Sequence, residues 1–190
     1  QDGVLKVMMG REEKAGIGQF SFGKGGRAAV YIPAGMDAPV TVINGAGDLK
    51  IDGLTVPELA MENTSGYLDL AKVSAERLSI SSKEGDVRLS AGTVGDLTID
   101  TSSGYVTLKD VETENVAVAC GSGEISLSGL KEGTDAEVST GSGDISIGYE
   151  RGPGDLSFEI ASGSEDISVK WENVSYTTDT PACKQGVVGD

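Results

Sequence analysis

The sequence contains no histidine, only two cysteines and few aromatic residues, which make up 5% of its 190 positions. Without histidine neither a Ser-His-Asp triad nor a Cys-His pair can form, and the commonest ligand of transition metals is missing. Cys120 and Cys183 are too few for a disulfide framework and belong to no CxxC pair, so they form either two free thiols or one disulfide. Composition therefore opposes the common nucleophilic and zinc-dependent enzymes.

Basic residues are also scarce, since 15 Lys and Arg stand against 30 Asp and Glu and the formal charge is −15. Such a charge opposes binding to nucleic acid, which depends on neutralising phosphates, and docking on anionic lipid. No apolar run approaches the length of a transmembrane span. The chain starts at Gln1 rather than Met, so we expect that an export signal or membrane anchor has been removed. That expectation places the protein outside the cell or in the cell envelope.

Glycine, in contrast, is abundant, and many of the 28 glycines recur in phase with a 19-residue repeat. A short element with alternating apolar residues opens every 19 residues, and then after 20 and 22. Its copies lie at 47–51, 66–70, 85–89, 104–108, 123–127, 143–147 and 165–169, after a degenerate copy at 30–32. A second alternating element occurs once per repeat, at 40–42, 59–61, 78–80, 97–99, 116–118, 136–138 and 158–160.

Alternation with period two is typical of strands with one buried face, and recurrence at a fixed phase favours parallel stacking of like upon like. We therefore predict an all-β, single-stranded parallel β-helix, a β-solenoid of about seven coils of ~19 residues. We expect a right-handed coil, because parallel crossovers prefer that hand. A β-sandwich of hairpins is the competing interpretation. Leu54, Val73, Val111 and Leu130 form a weaker apolar position, which leaves a third strand per coil open.

The chain is predicted to be a single domain, 1–190, with an N-terminal cap at 1–27, coils at 28–170 and a C-terminal cap at 171–190. Stacked coils need caps because an open end presents unpaired backbone groups. Val4–Met8 and Phe20–Phe22 supply apolar residues for the first cap, and Trp171 and Tyr176 for the second.

The repeat also turns single positions into columns of equivalent side chains. Small polar residues before each turn should form a hydrogen-bonded corner ladder, of which Cys120 is one rung: Asn44, Asn63, Ser82, Thr101, Cys120, Thr140 and Ser162. The residue after each repeat glycine should point outward, at Asp48, Tyr67, Asp86, Tyr105, Glu124, Asp144 and Asp166.

Two groups of outward residues are candidates for a ligand face. Tyr67 and Tyr105 lie two coils apart on one column, with Tyr31 on the neighbouring column, and could contact a sugar or a protein. Glu124, Asp144 and Asp166 are successive carboxylates about 5 Å apart, which either face water or attract cations such as Ca²⁺. We identify no catalytic, cofactor-binding or metal-ligating residue, and Ca²⁺ on this acidic run is the only cofactor that the pattern leaves open.

The turn-and-strand motifs Gly-Ser-Gly-Glu-Ile-Ser-Leu at 121–127 and Gly-Ser-Gly-Asp-Ile-Ser-Ile at 141–147 carry a resemblance. They resemble the Ser-Gly-Asp-Ile repeats of a bacterial β-helix family labelled as adhesins and catalogued as a domain of unknown function. The resemblance covers about 28–170. It implies the fold and an exported or membrane-anchored envelope protein, and it carries no catalytic residues.

We therefore expect a non-enzymatic, exported or cell-surface β-solenoid, an adhesin or binding scaffold whose partner is a surface glycan or a protein. A polysaccharide-active β-helix enzyme of the lyase or hydrolase type, built on clustered Asp, is one alternative. An envelope module that assembles with itself is another. We expect no nucleic-acid partner and no membrane contact except through the removed anchor.

Overall fold

A computed structural model describes residues 5–9, 32, 35–151, 155–163, 167, 171 and 174–189. Tyr31 and Asp166 of the predicted ligand face lie outside these residues. In the described part of the chain all regular structure is β-strand: β1 (Leu5–Met9), β2 (Val40–Asn44), β3 (Leu49–Asp52), β4 (Glu58–Asn63), β5 (Leu68–Ala71), β6 (Ser74–Ser82), β7 (Val87–Ser90), β8 (Thr93–Ser103), β9 (Val106–Lys109), β10 (Glu112–Ser122), β11 (Ile125–Leu130), β12 (Asp135–Thr140), β13 (Ile145–Tyr149), β14 (Leu156–Ser162), β15 (Val174–Thr180) and β16 (Cys183–Val188).

These strands form two sheets. The wide sheet has ten strands in the order β1-β2-β4-β6-β8-β10-β12-β14-β16-β15, and the narrow sheet has six in the order β13-β11-β9-β7-β5-β3. Pairing is parallel except at the end of the wide sheet, where β16 runs antiparallel to both β14 and β15. The chain is therefore a β-solenoid of about six turns, as the repeat predicted, and not a sandwich. The predicted seventh copy of the first element, at 165–169, lies outside the described residues apart from Ile167.

The register of the narrow sheet follows the repeat residue by residue. Leu49 pairs with Leu68, Leu68 with Val87 and Val87 with Val106, each a step of 19 residues. Val106 then pairs with Ile125, and Ile125 with Ile145 across the step of 20. Slipping one strand by a single residue would turn its apolar side chains outward, so the alternating pattern holds every coil in this register.

The core lies between the sheets, where each strand contributes its alternate apolar side chains. Leu59, Leu78 and Leu97 are almost completely buried on the wide sheet, and Leu70, Leu89 and Leu108 face them from the narrow sheet. The weaker apolar position is buried too, at Leu54, Val73, Val111 and Leu130.

A third, narrow face closes each of the middle coils. The first residues of β6, β8 and β10 pair with one another there, Ala75 with Val94 and Val94 with Thr113. The ladder of partners then omits Gly95 before it resumes at Asp96, so the long strands bend at this corner. The third strand that the sequence left open is thus the beginning of a wide-sheet strand.

Two corners of each coil require the left-handed backbone region. At one corner Gly47, Gly66, Gly85, Gly104, Gly123 and Gly143 have φ between 97° and 143°. A Cβ atom on Gly104 would overlap the carbonyl oxygen of Gly85 in the coil before it, so the turn needs glycine for close stacking as well as for its φ. At the other corner Lys72, Ala91 and Asp110 adopt φ of 53°, 50° and 52°, in phase with Gly53 and Gly129.

The two ends of the wide sheet differ. β1 pairs in parallel with β2 and so adds a rung to the sheet, although it lies in the stretch 1–27 that we predicted to be outside the repeat. At the other end the hairpin β15–β16 covers β14, and Trp171 meets the rings of Tyr149 and Phe158 edge to face. β15 is the outermost strand and its register shifts at Thr177, an irregularity that disfavours pairing with a further strand.

Candidate functional site

Four of the six predicted site residues lie on one column along the edge of the narrow sheet. We call this the tyrosine–carboxylate column, and from one coil to the next it consists of Asp48, Tyr67, Asp86, Tyr105, Glu124 and Asp144. Main-chain hydrogen bonds join its rungs, such as Leu49 N–H to the Tyr67 carbonyl at 2.8 Å and Val87 N–H to the Tyr105 carbonyl at 2.9 Å. Since parallel strands are about 4.8 Å apart, the two tyrosines lie about 10 Å apart along the solenoid axis.

The two tyrosines are the most exposed large apolar side chains of the described residues. Tyr67 keeps 59% and Tyr105 57% of its surface open to solvent. Each main-chain N–H of the pair is bonded to the aspartate of the preceding coil. Tyr67 donates to Oδ1 of Asp48 at 3.1 Å, and Tyr105 donates to Oδ1 of Asp86 at 2.9 Å. The alternation of aspartate and tyrosine therefore fixes the backbone beneath both rings.

The acidic end of the column is open to water. Glu124 and Asp144 are both exposed, and they occupy adjacent rungs because the Ile125 N–H bonds to the Asp144 carbonyl at 2.8 Å. Across the described residues no group of three or more cysteine, aspartate or glutamate side chains is arranged to hold a metal ion. Asp166, the third carboxylate of the predicted run, is not among those residues.

The corner ladder is confirmed as part of the architecture. Asn44 donates to the Asn63 side chain at 2.8 Å, and Asn63 donates to Ser82 Oγ at 3.0 Å, each bond crossing from one coil to the next. Thr101 and Thr140 donate instead to the carbonyls of Ser103 and Ser142 in their own turns, both at 3.1 Å. Their hydrogen-bonding capacity is used inside the fold, so these residues offer nothing to a ligand.

Cys120 occupies a rung of the same ladder. Its thiol is buried and lies 3.6 Å from the Gly104 carbonyl oxygen, and burial raises its pKa. A thiol that ionises less readily is a poorer nucleophile. Cys120 and Cys183 are both free, so the alternative of a disulfide between them is not realised.

Sequence reasoning missed a groove on the outer face of the wide sheet. The groove measures about 630 Å³ and crosses β8, β10, β12, β14 and β16. Thr98 and Ala117 leave its floor shallow, and Asp96, Asp135, Glu137 and Glu159 line it. The signal was available in the outward positions of the second repeat element, where small residues at Ala60, Ser79, Thr98 and Ala117 are followed by two glutamates.

Two carboxylates of this groove already have partners within the fold. Asp135 accepts a hydrogen bond from the Ser157 N–H at 2.8 Å, and Glu159 accepts one from Gln185 Nε2 at 3.1 Å. In the described part of the chain there is no helix long and apolar enough to cross a bilayer.

A family model described as Toastrack DUF4097 matches residues 1–185 of the chain. The match extends beyond residues 28–170, to which the resemblance of the repeats was limited. No curated protein and no solved structure matches the chain.

Proposed function

The chain belongs to the Toastrack family, a family of domains of unknown function, and we propose that this member is a non-enzymatic binding scaffold of the cell envelope. The proposal rests on the tyrosine–carboxylate column. It presents two aromatic rings to solvent from a backbone held by the solenoid's own hydrogen bonds. Adhesion to a surface glycan or to another surface protein is the specific form of this function.

Exposed aromatic rings on a rigid support favour binding. A tyrosine ring offers a large apolar area with few rotatable bonds, so little conformational entropy is lost when a partner covers it. The rings of Tyr67 and Tyr105 contribute little to the core of this protein, because more than half of each side chain is exposed. Their exposure therefore favours contact with a partner.

Binding is favoured over catalysis by the use of the polar side chains. The small polar residues that recur in phase are buried and bonded within the corner ladder. The carboxylates of the column are either hydrogen-bonded to the backbone, as Asp48 and Asp86 are, or exposed to water, as Asp144 is. A glycosidase of the usual kind needs an acid and a base whose pKa values are set apart by their surroundings.

The net charge of −15 supports a partner that is neutral or basic. An envelope location accounts for an acidic, highly solvated protein, since high net charge keeps proteins soluble and monomeric.

The test exposes the immobilised protein to a glycan array and to extracts of the cell envelope. Retention of a defined glycan or of an envelope protein is the expected result. Silence in both assays, together with turnover of a polysaccharide that is lost in the Asp144→Asn variant, would overturn the proposal in favour of the enzyme.

A further inference from the structure

The spacing and surroundings of the two exposed tyrosines restrict what their partner can be. Tyr67 and Tyr105 are separated by one intervening rung, Asp86, and the column continues with Asp48 on one side and Glu124 on the other. Apolar and charged side chains thus alternate along the solenoid axis with a period of about 10 Å.

A protein partner fits this pattern poorly. Stable protein interfaces bury about 800 Å² on each partner and have an apolar core from which charged residues are largely excluded. Here a half-buried carboxylate, Asp86, lies between the two rings. A protein that covered both rings would have to desolvate that carboxylate as well, which is costly unless the charge is paired.

A sugar chain fits the pattern well, because each sugar ring presents C–H groups on its faces and hydroxyl groups around its rim. The electron-rich face of a tyrosine attracts such C–H groups. The Asp86 carboxylate has capacity for further hydrogen bonds, because the Tyr105 N–H uses only Oδ1. Hydroxyl donors from a sugar between the two rings can therefore bond to it.

Resting on the proposed binding function, we propose that the tyrosine–carboxylate column binds an extended, neutral polysaccharide that runs parallel to the solenoid axis. Tyr67 and Tyr105 stack on two sugar units of one chain, and Asp86 accepts hydroxyl hydrogen bonds from the chain between them. The polysaccharide is neutral because Asp48, Asp86, Glu124 and Asp144 place a carboxylate on each of the other rungs, which would repel an anionic glycan.

The rings are ready for such a ligand. Both tyrosines follow a glycine with positive φ, Gly66 and Gly104, and both have their N–H groups bonded to the preceding coil. The backbone needs no rearrangement to present the rings. Because the two sites are linked rigidly, a chain that reaches both should bind much more tightly than one that reaches a single ring.

The experiment is calorimetric titration of the protein with β-1,4-linked oligosaccharides of glucose and of N-acetylglucosamine, from the disaccharide to the hexasaccharide. We expect affinity to rise at least about tenfold once the chain spans both rings, and little more beyond that length. Tyr67→Ala and Tyr105→Ala should each weaken hexasaccharide binding at least about fivefold. Tyr67→Phe keeps the ring and should bind as the wild type does.

Two controls separate the outcomes. Tyr176→Ala removes an exposed tyrosine that is not on the column and should leave binding unchanged. An oligogalacturonate of equal length should bind more weakly than the neutral chains. If no neutral oligosaccharide binds, or the alanine variants bind as well as the wild type, the inference is wrong. The binding function would still stand in that case if envelope extracts yield a protein partner, and it fails only if they yield none.

Discussion

The carboxylate of Asp86 accepts a hydrogen bond of 2.9 Å from the main-chain N–H of Tyr105, one coil further along the solenoid. Asp48 makes the same contact with Tyr67 at 3.1 Å. An aspartate in one coil thus fixes the backbone of an exposed tyrosine in the next. The pair links the stability of the stack to the surface that we propose for binding.

Asp86→Ala removes the acceptor for the Tyr105 N–H. Since the contact is close to the surface, we expect a loss of only about 0.5–1 kcal/mol in the free energy of unfolding, measured by urea denaturation. Asp86→Asn keeps a side-chain oxygen in the same place and should cost less. Equal losses in the two variants would mean that the charge rather than the hydrogen bond stabilises this turn.

Gly104→Ala should be among the most damaging single substitutions in the coils. A Cβ atom there would overlap the Gly85 carbonyl, and φ of 118° is unfavourable for alanine. We expect a loss of about 3 kcal/mol or more in thermal or urea unfolding.

Gly53→Ala is the matched control for this effect, because φ is 72° at Gly53 but nothing lies within 4 Å of the added Cβ. That variant should lose only about 1 kcal/mol. A loss as small in Gly104→Ala would show that the coils can separate to admit a side chain.

Ala91→Gly should stabilise the protein. Ala91 has φ of 50° at an exposed corner, where alanine is strained and glycine is not. We expect a gain of about 0.5–1 kcal/mol in the free energy of unfolding. Ala117→Gly, in the extended strand β10, should instead lose about 0.5–1 kcal/mol. A loss in both variants would mean that the backbone at Ala91 is not strained.

Cys120→Thr tests whether the thiol is only one rung of the corner ladder. Threonine in the neighbouring coils, at Thr101 and Thr140, donates to the carbonyl two residues further on. Threonine at 120 should do the same, so we expect the stability at pH 7 to change by less than about 1 kcal/mol. Cys120→Val has a similar shape but no donor and should be the less stable of the two. A large loss in Cys120→Thr would contradict this role.

The same variant should alter how stability depends on pH. Burial raises the pKa of Cys120, so the unfolded thiol ionises before the folded one as pH rises above about 8.5. Ionisation then favours the unfolded state, and the contribution of the neutral buried thiol is present below that pH and lost above it. Wild type should lose stability relative to Cys120→Thr from pH 8.5 upward, as measured by urea midpoints at a series of pH values.

The repeat predicted most of the fold because a single phase determines which side chains are buried. The pairings of Leu49, Leu68, Val87 and Val106 follow from the 19-residue step, and so does the hydrogen-bonded ladder from Asn44 to Ser82. The outward direction of Tyr67 and Tyr105 follows from their place between a turn glycine and a buried residue.

The rest could not be predicted from the same pattern for physical reasons. Lys72, Ala91 and Asp110 share a left-handed backbone but no chemistry, and only the glycines in phase with them, Gly53 and Gly129, pointed to that corner. The antiparallel hairpin β15–β16 lies outside the repeat, so its direction depends on tertiary pairing with β14. The groove arises from small side chains on neighbouring strands, which a search for charged or aromatic ladders overlooks.

The most direct test of the central claim is the retention of a ligand from the glycan array or the envelope extracts by wild type and by the Tyr67→Ala/Tyr105→Ala double variant. Circular dichroism should first show that the double variant keeps the β-solenoid, since both side chains are largely exposed. The account predicts that wild type and Tyr176→Ala retain the ligand and that the double variant does not. Equal retention by the double variant and the wild type would contradict the claim that the tyrosine–carboxylate column is the binding surface.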